Sequence, residues 1–400
     1  MRLNFDVLKK VQFIIGSMED VLQLPFTSAF TPFDKRIVDF LNEVSKEVMK
    51  DPRSKAYSDV VTFGFWIRKG SVLKLKDRFC DNGVHLGKGV AFHIAPSNVP
   101  VNFAYSLVSG LLCGNANVVR IPSKDYPQVQ IITDSFKKIL ARYDDLRKYV
   151  ICVRYDRDKD INDIFSSICN VRILWGGDQT IAELRNSPLP PRSGEITFAD
   201  RYSLAVIDSD TYMSIDDKDR VAEDFYNDTF FSDQNACTSP RMIIWTGNQT
   251  EEAKIVFWER EYELVKSKYI FQPIQGINKL SKAYLLATNI SGVKIETRKD
   301  NFIFRVKVSK IVDHLMDYAD NSGYFYEYDC KDILELIPIV NNSHCQTIAY
   351  IGNRGIFLPL IEAGVKGIDR IVPIGKTMDF DLIWDGYNLP AFMTRTIMMI

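Results

Sequence analysis

At 400 residues the chain is long enough for two or three domains. Apolar residues make up 46% and charged residues 25%, an ordinary globular balance that excludes disordered, collagen-like and coiled-coil chains. Lys and Arg total 50 against 51 Asp and Glu, so the formal net charge of -1 carries no footprint for nucleic acid or an acidic membrane.

The N-terminus, MRLNFDVLKKVQFIIGSMED, scatters its charges through short apolar pieces and lacks a signal-peptide layout. The first helix is predicted after Thr31-Pro32, a cap residue followed by Pro at the first helical position, with Ile37, Phe40, Leu41, Val44 and Val48 on one face. From Gly89 onward strand and helix alternate. GVAFHIA, NVVRIP, YVICV, VRILW and LAVID read as strands. VNFAYSLVSGLLCGN, TDSFKKILARY, DINDIFSSICN and GGDQTIAELRN read as the helices between them. This rhythm predicts a mostly parallel sheet, doubly wound, with helices on both faces.

The most apolar stretch, Val101 to Cys113, is broken by Asn102, Ser106, Ser109 and Gly110 and is shorter than the ~20 residues of a membrane span. The polar, acidic run Asp208–Asp219 is predicted to lead into a second domain, which opens with DRVAEDFYNDTFF, RMIIWTG and EEAKIVFWEREYELVKS. Turn signals at Gly367, Gly375 and Asp385-Gly386 precede an apolar end, expected to return to the first domain or to pack on a partner subunit. The seven cysteines, 80, 113, 152, 169, 237, 330 and 345, form no CxxC, which predicts a reduced, cytoplasmic protein without structural zinc or disulfides.

Three segments are candidates for chemistry. In HIAPSNVP, Pro96 and Pro100 stiffen a strand-to-helix turn and fix Asn98, whose amide can donate to an oxyanion. Taken alone, the segment favours Asn98 as a cap of the following helix. In WGGDQT, Gly176 and Gly177 let the backbone approach a phosphate at a helix N-terminus, although a plain βα turn accounts for them equally. In SDQNACTSPR, Cys237 sits among small polar residues in a loop, the setting of a nucleophile that attacks a thioester or an aldehyde. The four histidines, His85, His93, His314 and His344, form no metal pattern and read as ordinary hydrogen-bonded side chains.

In this order, HIAPSNVP, SLVSGLLCGNANVVRIPSKDYP, VRILWGGDQTI, ITFADRYSLAVID, SDQNACTSPR and RIVPIGKTMDFDLIWDGYNL resemble the aldehyde dehydrogenase superfamily. Within it they are similar to the acyl-CoA reductase branch, the fatty-acyl reductases of bacterial luminescence. The resemblance runs from about Val84 to the C-terminus and thins between Trp245 and Gly364. It implies an α/β, aldehyde dehydrogenase-like fold: a doubly wound parallel-sheet cofactor domain over residues 1–207, a second α/β catalytic domain over 208–375, and a C-terminal return over 376–400.

By position, the resemblance makes Cys237 the nucleophile and Asn98 the oxyanion donor. It places Gly176 and Gly177 at the cofactor pyrophosphate and Arg120 at the adenosine ribose. Ser123 falls where NAD-preferring members carry a glutamate and is flanked by Arg120 and Lys124, so NADPH is the expected cofactor, with NADH as the other possibility. Glu335 is a candidate for the nicotinamide ribose. The hydrolytic general-base glutamate of the dehydrogenases is replaced by Phe198, with Glu195 nearby as another carboxylate.

The activity implied is reduction of an acyl-CoA or another acyl thioester to an aldehyde through an acyl-cysteine. A homodimer or homotetramer is expected, with a possible acyl-donating partner enzyme and no nucleic acid. Two other readings stand beside it: a cysteine acyltransferase or thioesterase without a nicotinamide, and a non-catalytic binding subunit.

Overall fold

In the computed structural model, which describes residues 4–79 and 83–400, the predicted alternation closes into two main sheets. Cys80 lies outside the described residues. Each sheet belongs to its own compact unit, one of Met1–Ala199 with Phe380–Ile400 and one of Asp200–Asp379.

The first unit contains β1 (Gln12–Ile15), β2 (Val84–Gly87), β3 (Val90–Ile94), β4 (Ala116–Arg120), β5 (Val150–Arg154), β6 (Val171–Trp175) and β7 (Gly194–Phe198). The sheet order is β1-β5-β4-β3-β6-β7, and every pair is parallel except β1 with β5. The chain thus winds outward from β3 through β4 to β5, crosses back, and continues through β6 to β7. β3 and β6 are buried along their whole length, as apolar strands covered by helices on both faces must be. The helices Asn102–Leu112, Pro127–Leu140 and Lys159–Ile168 are the crossovers. The last begins where the Asp158 carboxylate accepts from the N–H groups of Asp160 and Ile161, and it buries Ile161, Ile164 and Phe165.

The N-terminal helix spans Lys35–Lys50 and buries all five predicted apolar residues, but its cap is Asp34 and not Thr31. Thr31 to Phe33 form a turn in which Phe33 takes φ 54, and the Asp34 carboxylate then accepts from the Arg36 N–H at 2.9 Å.

The second unit contains β8 (Tyr202–Asp208), β9 (Pro240–Thr246), β10 (Lys294–Thr297), β11 (Phe304–Lys307), β12 (Tyr324–Asp329), β13 (Cys345–Ile351) and β14 (Arg370–Pro373). Their order is β10-β11-β12-β9-β8-β13-β14, parallel except for the edge pair β10 with β11. LAVID, which the sequence rhythm strings onto the first sheet, lies in β8 at the heart of this one. Only Ala199–Arg201 separate β7 from β8, whereas a parallel neighbour needs a crossover of about a dozen residues. Leu204 and Val206 of β8 enter one core, while Ala205 and Ile207 enter the core on the opposite face.

In the tail, β15 (Ile383–Trp384) and β16 (Tyr387–Asn388) form a hairpin around Asp385 (φ 48) and Gly386 (φ 75), the left-handed pair that an Asp-Gly turn supplies. β17 (Thr394–Ile397) then pairs antiparallel with β2. No helix among the described residues is long and apolar enough to cross a membrane.

A polar chain runs through the first core. Trp175 Nε1 donates to Ser106 Oγ at 3.1 Å, Ser106 Oγ lies 2.7 Å from His93 Nδ1, and His93 Nε2 lies 3.0 Å from Asn117 Oδ1. Asn117 Nδ2 donates to the carbonyls of Asn115 and Tyr149, so its oxygen must face the ring and accept from Nε2–H. His93 is therefore neutral, with the proton on Nε2. Burial pushes its pKa from 6.5 down to about 4, against an opposing hydrogen bond from Asn117. Between these pH values the unfolded chain binds a proton that the folded unit does not. Stability should thus be full above pH 6.5 and fall by about 3 kcal/mol on acidification to about 4. Urea unfolding measured across this range should show the slope in wild type and lose most of it in His93→Gln; an unchanged slope in the variant would assign it elsewhere.

Candidate active site

In the first unit the strand order reverses between β3 and β6, and Ile94 lies in register with Arg120 of β4 on one side and Leu174 of β6 on the other. The turns to Asn98, to Ser123 and Lys124, and to Gly176 and Gly177 therefore all leave the carboxyl edge of the sheet around its switch point, where open α/β sheets bind ligands.

Asn98 is exposed, and its side chain makes no hydrogen bond among the described residues. It is not the cap of the next helix: Val101 holds that position, without a side-chain bond. Its amide is available to a ligand, and the turn is tied down where Tyr126 Oη donates to the Ser97 carbonyl at 2.9 Å.

Arg120 turns inward, donating to the Tyr155 carbonyl at 3.1 and 3.3 Å with its guanidinium 4.7 Å from the Tyr155 ring centroid. Ser123 and Lys124 are exposed, and Ser123 caps nothing, since the following helix starts from Tyr126 with Pro127 at its first turn. The Lys124 ammonium lies 5.1 Å from the Tyr126 ring centroid. Gly177 is the N-cap of the helix Asp178–Leu184. Gly176 needs no left-handed backbone, and a Cβ there would meet nothing nearer than Thr180 at 3.4 Å. Open space, and no demand of the turn, is what glycine provides at this position.

Phe198 stacks on Trp175 with ring centroids 3.7 Å apart and Tyr387 at its edge. Glu195 is fully engaged: Arg172 Nε donates to it at 2.8 Å and Arg185 Nε at 2.7 Å. Neither residue supplies a carboxylate able to activate water.

The second unit holds Cys237 in the loop that enters the amino end of β9. Cys237 is half-buried, whereas Cys113, Cys152, Cys169, Cys330 and Cys345 are buried. Burial pushes the thiols of Cys152, Cys169, Cys330 and Cys345 up to about 12, where they are inert. The loop is shaped by Gln234, fully buried at φ 51, a residue the sequence reading passed over. Its Oε1 accepts from the N–H groups of Gly323 (2.7 Å) and Tyr324 (3.1 Å), and its Nε2 donates to the carbonyls of Pro240 (3.1 Å) and Tyr324 (3.3 Å). The Cys237 carbonyl accepts from Ser203 Oγ at 2.8 Å, and Thr238 Oγ1 lies 3.2 Å from Met378 Sδ.

Arg241 was also missed. It donates to the carbonyls of Gln234 and Asp320 and to Asn321 Oδ1. Burial lowers its pKa, opposed chiefly by the charge of Asp320. Glu335 uses both carboxylate oxygens locally, accepting from Tyr328 Oη and closing a capping box on the Asp332 N–H at 3.2 Å. Every histidine has a partner: His93 as above, His85 with Thr396, His314 with Asp313 and His344 with the Asp200 carbonyl. Among the described residues no cluster of His, Cys, Asp and Glu could hold a metal.

Residues 76–259 match the family described as acyl-CoA reductase (LuxC), an interval containing Asn98, Arg120, Ser123, Lys124, Gly176, Gly177 and Cys237. The long-chain acyl-protein thioester reductase of Aliivibrio fischeri is 24% identical over 299 residues, covering 73% of this chain and 60% of the relative. That of Vibrio harveyi is 23% identical over 299 residues, with the same coverage. The chain thus spans about 60% of the length of these curated relatives.

Among solved structures, aldehyde dehydrogenase 21 of Physcomitrella patens superposes with TM-score 0.66 at 12% identity, covering 94% of this chain and 88% of that one. An NAD-dependent benzaldehyde dehydrogenase of Corynebacterium glutamicum superposes with TM-score 0.60 at 14% identity and the same coverage. The fold is that of an aldehyde dehydrogenase, with two α/β units, and the resemblance read from the motifs is borne out.

The Gln234 clamp makes a specific expectation. Gln234→Ala removes the side-chain bonds to the N–H groups of Gly323 and Tyr324 and to the carbonyls of Pro240 and Tyr324 and keeps a left-handed residue, which should destabilise the second unit by about 2–4 kcal/mol. Gln234→Gly relieves the backbone while losing the same bonds, so chemical unfolding should show a smaller loss. Equal losses would mean that the φ of 51 carries no strain.

Proposed function

With residues 76–259 matching the acyl-CoA reductase (LuxC) family on an aldehyde dehydrogenase fold, we propose that this chain reduces an acyl thioester to an aldehyde through an acyl-enzyme on Cys237. The observation that carries the reading is Cys237 itself: half-buried where the other described cysteines are buried, in a loop clamped by Gln234. The relatives' names point to an acyl group carried on a protein, and the family description to one carried on CoA. In both, the scissile bond is the same thioester.

The Cys237 thiolate bonds to the acyl carbon. The Cys237 backbone N–H and the Asn98 amide are assigned to the oxyanion, and the original thiolate leaves with the electron pair of its C–S bond. A bound nicotinamide would supply a hydride to the carbonyl carbon of this thioester, and the tetrahedral alkoxide so formed would break its C–S bond to give the aldehyde and the Cys237 thiolate. Phe198 on Trp175 and the doubly paired Glu195 give water no base, so the acyl-enzyme persists until reduction.

The carboxyl edge at the first switch point fits a dinucleotide. Gly176 leaves open space before the Gly177 cap, and Ser123 and Lys124 stand exposed on the adjoining turn. Arg120 would meet the adenosine ribose only by giving up its bonds to Tyr155, and Glu335 would meet the nicotinamide ribose only by leaving Tyr328 and its capping box. The 2′-phosphate preference therefore rests on Lys124 and on the absence of an acid at Ser123, and NADPH is the proposed cofactor. A reduced cytoplasm, a homodimer or homotetramer, and an acyl-donating partner complete the proposal.

Incubation with acyl-CoA should yield an acyl adduct on the intact protein and, with NADPH, an aldehyde. Cys237→Ala should abolish both, while Asn98→Ala should lower turnover roughly 10²–10³-fold with unfolding stability unchanged, because Asn98 caps no helix. An adduct that survives Cys237→Ala refutes the mechanism. For the cofactor, kcat/KM should favour NADPH over NADH by roughly 10–100-fold, and Ser123→Glu should reverse the ratio. A ratio that Ser123→Glu leaves unmoved would place the phosphate elsewhere.

A further inference from the structure

The even charge of the whole chain conceals a local asymmetry. Between Leu264 and Lys310 stand ten Lys and Arg against two acids, Glu296 and Asp300, a net of +8 in a chain whose total is -1. The helix Pro273–Asn289 lies within this stretch and buries Lys279, Ala283 and Leu286 on its inner face. Its outer face is also apolar: Ile274 is 55% exposed, Ile277 60%, Tyr284 58% and Leu285 55%, with Leu280 at the margin. Steps of three, seven and one residue set these four on one side of the helix, away from positions 279, 283 and 286. A helix apolar on both faces is built to be covered.

The stretch is mostly basic, and acids inside and outside it answer part of that charge. Lys268, Arg298, Arg305 and Lys307 are paired with carboxylates, and buried Lys279 donates to the carbonyls of Asn301, Phe302 and Ser322. The remaining five, Lys266, Lys282, Lys294, Lys299 and Lys310, make no ion pair among the described residues.

We propose that the outer face of the helix Pro273–Asn289 docks on an anionic phospholipid surface. The isoleucines, Leu285 and Tyr284 would enter the headgroup boundary, and the unpaired lysines would reach phosphates along their flexible stems. Lysine is depleted in protein–protein interfaces but enriched on the polar side of helices that lie in a membrane surface, which favours lipid over an acidic protein. At 17 residues the helix is too short and too polar to span, so it lies along the surface.

Co-sedimentation of the full chain with phosphatidylcholine vesicles, with and without phosphatidylglycerol, tests this. Wild type should sediment with the anionic vesicles alone and be released by salt. Ile277→Asp with Leu285→Asp, and separately Lys282→Glu with Lys294→Glu, should each lower the bound fraction by about tenfold or more, with circular dichroism unchanged. Wild type that stays in the supernatant with both vesicles, or variants that bind as wild type does, would overturn the proposal. So would variants that change the oligomeric mass by light scattering while vesicle binding is unaffected, an outcome that would assign the face to a protein contact.

Discussion

Three residues, Ala199 to Arg201, impose the architecture. A parallel strand can be added beside β7 only after a crossover long enough to run back along the sheet, and a three-residue link cannot supply it. The link would allow only an antiparallel hairpin beside β7, and β8 instead begins a new sheet, parallel to β9. With β8 committed, the second sheet repeats the logic of the first, growing outward on one side through β9 and β12 and on the other through β13 and β14. Each unit has its own two-faced core and its own order reversal, and the two use opposite edges. The first presents its candidate residues where strands end, whereas the second presents Cys237 where a strand begins.

What the sequence disclosed was chemistry held in short contiguous runs. HIAPSNVP, WGGDQT and SDQNACTSPR each carry their turn residues and their functional side chain together, so their place at the strand ends was legible. What it concealed was every relation closed by residues far apart in the chain. Gln234 is a routine polar residue until Gly323, Tyr324 and Pro240 surround it. The bonds from Arg120 to the Tyr155 carbonyl, and from Arg172 and Arg185 to Glu195, are likewise closed only by the fold. The boundary near LAVID was hidden for a different reason: apolar periodicity marks a strand but not the sheet to which it belongs. The charge count conceals a local asymmetry, because a sum of -1 averages a basic stretch against an acidic remainder.

The buried polar groups divide into those that hold structure and those that leave chemistry open. Glu327 receives the indole N–H groups of Trp245 (3.0 Å) and Trp258 (2.6 Å) and the Arg305 guanidinium, so its carboxylate is a knot in the second core. His93 and Asn117 make a similar knot in the first. Asn98 lies on an exposed turn anchored by Tyr126, and half-buried Cys237 lies in a loop anchored by Gln234 and Ser203. Rigidity next door and access at the site itself is the arrangement that a nucleophile and an oxyanion donor require.

The stack of Trp175 on Phe198 has an optical consequence. Of the chain's 5 tryptophans, Trp175 is the one that immediately precedes Gly176, with its indole N–H held by Ser106 and its ring face against Phe198. Its transition dipole is thereby clamped in the sheet frame, while the turn that follows it leaves open space at Gly176. The emission of this indole is a built-in gauge of events at that turn, readable without attaching a dye.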